Sequence, residues 1–312
     1  MGFSFIKLKV YELLAKIIGW DVPTPAPTPA PTPAQNIENP NEYLLWNRRS
    51  FSGCEFKRSF IQCEHEHGKS CLRYFPSHDL SGLKNAPRVI IQMLGDRDSL
   101  MNRPVDQIHT NTYRLQTQYA QRQSEKAQGI PVIVLARPGT YGSTGHHGRR
   151  RQPEEFTALK AGIEALRERY GFQSLILLGH SGGATAVAAI LTMGITGVQR
   201  AVIASGAFNL LERAEINRAF NGWASRPGLD LTGLPNPYDP LFHTEGIQYE
   251  PNRQIFIQGN EKDTATPWEY QEQFYNQIKG RHKVIIRQFP TYGSAHHNIA
   301  NHVNIKTAAG LI

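Results

Sequence analysis

Six short apolar runs fix what kind of fold this chain can adopt. They lie at 88–94 (RVIIQML), 130–136 (IPVIVLA), 174–178 (SLILL), 200–204 (RAVIA), 254–258 (QIFIQ) and 282–288 (HKVIIRQ). A strand with one wet face alternates apolar and polar residues, whereas a strand covered on both faces is apolar at consecutive positions. Most of these runs are of the second kind. Between them, Phe156, Leu159, Ile163, Leu166 and Tyr170 share one helical face, and 105–126 is a long polar stretch of helical composition. Strands alternating with helices imply right-handed crossovers and an α/β fold, with a mostly parallel central sheet flanked by helices. The segments 56–63 and 70–75, turning at His67-Gly68, read as an N-terminal β-hairpin ahead of that sheet. The expected catalytic domain spans 41–312, and 206–252 has the length and the scattered Pro and Gly of a small cap insertion with one or two short helices.

The front of the chain follows different rules. Residues 1–20 place Ile6, Val10, Leu13, Leu14 and Ile17 at helical spacing among Lys7, Lys9, Glu12 and Lys16. Charges this frequent fit an amphipathic helix and not a bilayer-spanning segment or a signal-peptide core. Residues 21–40 contain VPTPAPTPAPTPAQ, where recurrent proline removes amide donors and fixes φ, giving an extended spacer. A helix held away from the domain suits a membrane surface or a partner protein, so membrane association or export is favoured over a cytoplasmic location. The net charge of +8 also suits an anionic partner, but the basic residues are scattered apart from Arg149, Arg150 and Arg151, and no zinc-finger or RNA-binding signature accompanies them. Nucleic acid is therefore not an expected partner. The triple-arginine loop reads as a solvated basic loop, with attraction of anionic substrates as the sharper alternative.

Cys54, Cys63 and Cys71 fall in one segment with His65 and His67. No paired C-x-x-C hooks are present, so a structural metal ranks behind unpaired thiols and behind a single disulfide between Cys63 and Cys71 that leaves Cys54 free.

Chemistry concentrates where the third run ends. Gly179-His180-Ser181-Gly182-Gly183 closes a strand and opens a helix, the context in which a G-x-S-x-G turn exposes a nucleophilic serine at a helix N-terminus. A serine hydroxyl needs a base, and the loop after the last run, FPTYGSAHHN, offers His296, with His297 as the alternative. The base needs an orienting carboxylate. Asp263 in GNEKDTATPWE precedes it in chain order, with Glu261 and Asp239 as rivals and a helix-capping role as the plain alternative. Two backbone donors must hold the oxyanion: Gly182, and either Gly95 or Asp96 in the loop after the first run. A charged Asp96 there has to be turned away or paired with Arg97.

These motifs, with ARPGTYGSTG at 136–145, resemble the α/β-hydrolase superfamily, on its prolyl-oligopeptidase and dienelactone-hydrolase side. The resemblance covers roughly residues 45 to 305. It implies a serine hydrolase with Ser181 as nucleophile, His296 as base and then acid, Asp263 as orienting acid, and neither cofactor nor metal. The chain departs from the family pattern where Leu94-Gly95-Asp96-Arg97 replaces a histidine-glycine-glycine run. The implied substrate is a small-molecule ester or amide. A peptidase of the prolyl-oligopeptidase type and a non-catalytic tethered binding protein on a hydrolase scaffold are the competing readings.

Overall fold

The computed structural model describes Cys54 and residues 59–101, 103–108 and 110–312. The amphipathic helix expected over 1–20 and the spacer over 21–40 lie outside the described residues.

An N-terminal hairpin pairs β1 (Phe60–His65) with β2 (Gly68–Pro76), and a one-turn helix α1 (Leu80–Leu83) leads to β3 (Val89–Met93). There follow α2 (Tyr113–Lys126), β4 (Val132–Leu135), α3 (Pro153–Tyr170), β5 (Leu175–His180), α4 (Gly182–Thr192), β6 (Val198–Ala204) and α5 (Leu210–Phe220). The chain ends through β7 (Gln254–Gly259), α6 (Trp268–Ile278), β8 (Lys283–Gln288), a two-residue ladder of β9 (Thr291–Tyr292) with β10 (Asn298–Ile299), and α7 (Asn301–Ala309). Eight strands form one sheet in the order β1-β2-β4-β3-β5-β6-β7-β8. Only the β1–β2 and β2–β4 pairs are antiparallel.

Each of the six apolar runs became a strand, and the reason is visible in β5. Leu175 and Leu177 face the helices α3 and α4 with Phe156, Leu159 and Val187, while Ile176 and Leu178 face the opposite layer with Ala120 and Ile305 of α2 and α7. A strand with two dry faces leaves no position for a polar side chain. β8 differs because it is the edge: Lys283, Arg287 and Gln288 are exposed there and discourage pairing with another chain.

Helix boundaries shifted for local reasons. Helix α2 begins at Tyr113 and not at 105, because the Thr112 hydroxyl accepts from the Leu115 amide as an N-cap. The preceding Val105–Gln107 is a single 3-10 turn. Helix α3 starts at Pro153, whose missing amide costs nothing at the first position, and stops at Gly171 with φ 67°. The segment 206–252 contains one helix, α5, and two 3-10 turns, Pro240–Phe242 and Thr244–Gly246.

The cysteine pairing is corrected. Cys63 stands opposite Ser70 and Gln62 opposite Cys71, so Cys63 and Cys71 project to opposite faces of the hairpin and cannot meet. The disulfide joins Cys54 to Cys71 instead, with Cα atoms 5.6 Å apart, beside the buried Phe60. Cys63 is the free thiol; burial pushes its pKa up to about 12, which leaves it unreactive. No cluster of His, Cys, Asp and Glu suited to a metal occurs among the described residues.

Thiol titration of the denatured, unreduced protein should therefore find one reactive cysteine. Cys54→Ser should lower the unfolding free energy by about 3 kcal/mol, as loss of a loop of this size predicts, and reductant should then have no further effect on the urea midpoint.

Candidate active site

Ser181 sits between β5 and α4 with φ 56° and ψ −126°, a conformation that non-glycine residues avoid. The turn is imposed from both sides. The Ser181 amide donates to the Ala204 carbonyl of β6 at 2.9 Å, and its carbonyl accepts from the Ala184 amide of α4 at 2.9 Å. Strand and helix cross so closely that a Cβ on Gly179 would land on the Gly183 carbonyl, and one on Gly183 on the Met93 carbonyl. The serine hydroxyl does not cap its helix and makes no hydrogen bond among the described residues.

The structure corrects which histidine faces the carboxylate. His297 Nδ1 lies 2.8 Å from Asp263 Oδ2, whereas His296 is an exposed turn residue with φ 49° whose amide donates to the Gly293 carbonyl. The β9–β10 ladder explains the choice. Pairing Tyr292 with Asn298 leaves 293–297 to make the turn, and His296 occupies its left-handed position while His297 turns inward. His297 is anchored by its backbone as well: its carbonyl accepts from Ser205 Oγ at 3.0 Å and lies 3.2 Å from His180 Nε2. His180 directly precedes Ser181, so base candidate and nucleophile candidate are tied to the same strand end.

Asp263 does not cap α6, whose first turn makes no side-chain cap bond. Its Oδ1 accepts from the amides of Ala265 and Thr266 at 2.8 and 2.9 Å and so fixes the loop ahead of that helix. Its Oδ2 accepts from Thr266 Oγ1 at 2.8 Å and faces His297. Burial alone would raise this carboxyl, but the bonds from His297 and Thr266 outweigh it and hold the pKa below the usual range. Glu261 is exposed and Asp239 caps the turn at Leu241, so neither rival enters the site. Thr266, Ser205 and His180 were not singled out from sequence. Thr266 had a signal, three residues beyond an aspartate; Ser205 and His180 had none.

The oxyanion candidates cluster around the serine. A Cβ on Gly95 would stand 3.1 Å from Ser181 Cβ and 3.7 Å from its Oγ, so this glycine faces the hydroxyl at close range. The amides of Gly95, Asp96 and Gly182 make no backbone hydrogen bond among the described residues. The Asp96 carboxylate is turned away from solvent and is not paired with Arg97. It meets Arg137 Nη1 at 2.7 Å, Arg150 Nε at 3.4 Å and Arg151 Nη2, directly under Gly182. Burial opposes its charge, but the three arginines win and hold its pKa well below the carboxylate range. Arg137 also donates to Glu155 Oε1 at 2.7 Å.

This overturns the reading of the arginine loop as solvated. Arg150 and Arg151 are 7% and 3% exposed and belong to the cage around Asp96; only Arg149 is at the surface, bound to Glu154. Neither buried arginine is available to attract substrate. His147 completes the cage as a neutral ring: its Nε2 accepts from the Arg97 amide at 3.1 Å, and burial followed by the charge of Arg137 pushes its pKa down to about 2.

A histidine kept neutral when folded and free to protonate when unfolded stabilises the protein fully above the unfolded pKa, near 6.5, and less as pH falls toward the folded value. The urea midpoint should therefore decline as pH drops from about 7 to about 5, and His147→Gln should flatten that decline. An unchanged slope in the variant would remove His147 from the account.

Scans of the sequence against protein-family models and against curated proteins return no match. Solved structures do match. An esterase of Pyrococcus furiosus superposes with a TM-score of 0.52 at 15% identity, covering 86% of this chain and 96% of its own. Prolyl oligopeptidase B from Galerina marginata gives 0.52 at 16% identity over 80% of this chain, and Pyrococcus horikoshii acylaminoacyl peptidase 0.51 at 15% over 81%. This chain spans 35% and 40% of the length of those two peptidases. The sheet order, the strained serine between β5 and α4 and these superpositions give one conclusion: the chain has the α/β-hydrolase fold.

Proposed function

We propose that this protein is a serine hydrolase that cleaves an ester through an acyl-enzyme, with Ser181 as nucleophile, His297 as general base and then acid, and Asp263 as orienting acid. The observation that carries the reading is the 2.8 Å Asp263–His297 bond, fixed to the end of the strand that delivers a strained, uncapped Ser181. With Nδ1 engaged by Asp263, Nε2 is the ring nitrogen left to take the serine proton. Ser181 Oγ attacks the carbonyl carbon as its proton passes to Nε2. The oxyanion forms at the N-terminus of α4, where the Gly182 amide and one from Gly95 or Asp96 receive it. Collapse returns the proton from Nε2 to the departing alcohol, and water then repeats the sequence on the acyl-enzyme. Burial, followed by the nearby His297, lowers the His180 pKa to about 4, so the ring beside the nucleophile stays neutral at ordinary pH.

The fold shared with an esterase and two peptidases supports hydrolysis without selecting the bond. Ester cleavage is the simpler chemistry, because an alcohol leaves with less help from an acid than an amine does.

A fluorophosphonate probe should label the wild type and leave Ser181→Ala unlabelled; equal labelling of both would end the serine reading. On 4-nitrophenyl butyrate, His297→Ala should lower kcat by a factor on the order of 1,000 or more, and His296→Ala by no more than a few-fold.

A further inference from the structure

Two other arginines belong to segments that build the site, Arg97 two residues beyond Gly95 and Arg213 against the Asp263 loop, and neither belongs to the Asp96 cage. Arg213 of α5 is half-buried and makes one hydrogen bond among the described residues, from Nε to the Ala265 carbonyl at 2.7 Å. Ala265 lies between Asp263 and Thr266, so this side chain rests on the loop that holds the base. It forms no ion pair among the described residues, although it is within electrostatic range of both Asp96 and Asp263. Those carboxylates are already occupied, Asp96 by three arginines and Asp263 by His297 and Thr266. Arg97 approaches from the β4 side. Its amide is bound to His147 and its Nε donates to the Tyr141 hydroxyl at 3.1 Å, which leaves its terminal nitrogens without an ion pair among the described residues. It is also within electrostatic range of His180.

A half-buried guanidinium without a counter-ion is unfavourable unless a ligand supplies the charge. Arg213 experiences this directly, since burial and then the repulsion of Arg151 bring its pKa down to about 10. Planar guanidinium donors match a carboxylate through paired N–H bonds.

Resting on the serine-hydrolase reading, we propose that the substrate is an ester bearing a carboxylate, held by the free edge of Arg213 with Arg97 contributing from the Gly95 loop. This relocates anion recognition from the 149–151 loop, whose charges are consumed internally, to two residues on different elements.

The test compares mono-4-nitrophenyl adipate with 4-nitrophenyl hexanoate, acyl chains of equal length that differ in a terminal carboxylate. The full chain should favour the adipate in kcat/KM by about tenfold, the size of one charge-assisted contact in a partly wet site. Arg213→Met should lower that preference by about tenfold, mainly through KM, and Arg213→Lys should retain part of it. Arg97→Met should lower it independently, which keeps the test decisive if Arg213→Met folds poorly. Arg149→Met should keep the wild-type ratio, and added salt should reduce it. Wild-type preference for the hexanoate, or a preference that survives both Met variants, overturns the proposal while leaving the serine reading intact. If neither ester is cleaved and Ser181 does not label, both fall together.

Discussion

The Asp96 carboxylate and its three arginines organise the site. Asp96 comes from the loop after β3, Arg137 from the loop after β4, and Arg150 and Arg151 from the approach to α3. One largely buried anion thus fixes the relative positions of three segments and lies against Gly182, the first residue after Ser181. Such a cluster is not a simple source of stability, because desolvating its members is unfavourable and the mutual attraction only offsets this. Its effect is specificity of arrangement. With the carboxylate drawn into the cage, the backbone at Gly95–Asp96 can face the serine without presenting a free negative charge to it. Glu155 extends the same logic, receiving Arg137 and the Arg151 amide at 2.6 Å.

The other half of the site is held by neutral contacts. Thr266 Oγ1 donates to Asp263 and lies 3.1 Å from the Ser205 carbonyl and 3.2 Å from His297 Nδ1. Ser205, at the end of β6, holds the His297 carbonyl. Asp263, His297 and the ends of β5 and β6 are therefore one hydrogen-bonded unit, into which the β9–β10 ladder turns His297.

Much of the fold was legible in the sequence because buried parallel strands leave an unambiguous pattern. The tight strand-to-helix turn was equally readable, since the need for small residues around Ser181 is written as Gly179 and Gly183. Chain order pointed to Asp263, which the structure sets against a histidine. What escaped was whatever depends on which way a side chain turns. His296 and His297 are adjacent, and only the register of a two-residue ladder decides between them. Cys63 and Cys71 are both in the hairpin, and one position of register places them on opposite faces. The arginine run looked solvated because charge runs usually are; its partner, Asp96, lies more than fifty residues earlier, beyond any local pattern. The N-cap at Thr112 was a local signal in the sequence, but it was masked by the helical composition ahead of it.

The disulfide also fixes the mechanical route by which the front of the chain is attached. Residues 55–70 form the loop that the Cys54–Cys71 bond closes. Tension applied ahead of Cys54 therefore bypasses that loop and is delivered to Cys71, inside the sheet. There the Cys71 backbone is bonded to Thr144, at the far end of the same β4 loop that carries Arg137. The covalent shortcut makes the second strand of the sheet, β2, bear any such load, with the β1 hairpin strand shielded from it.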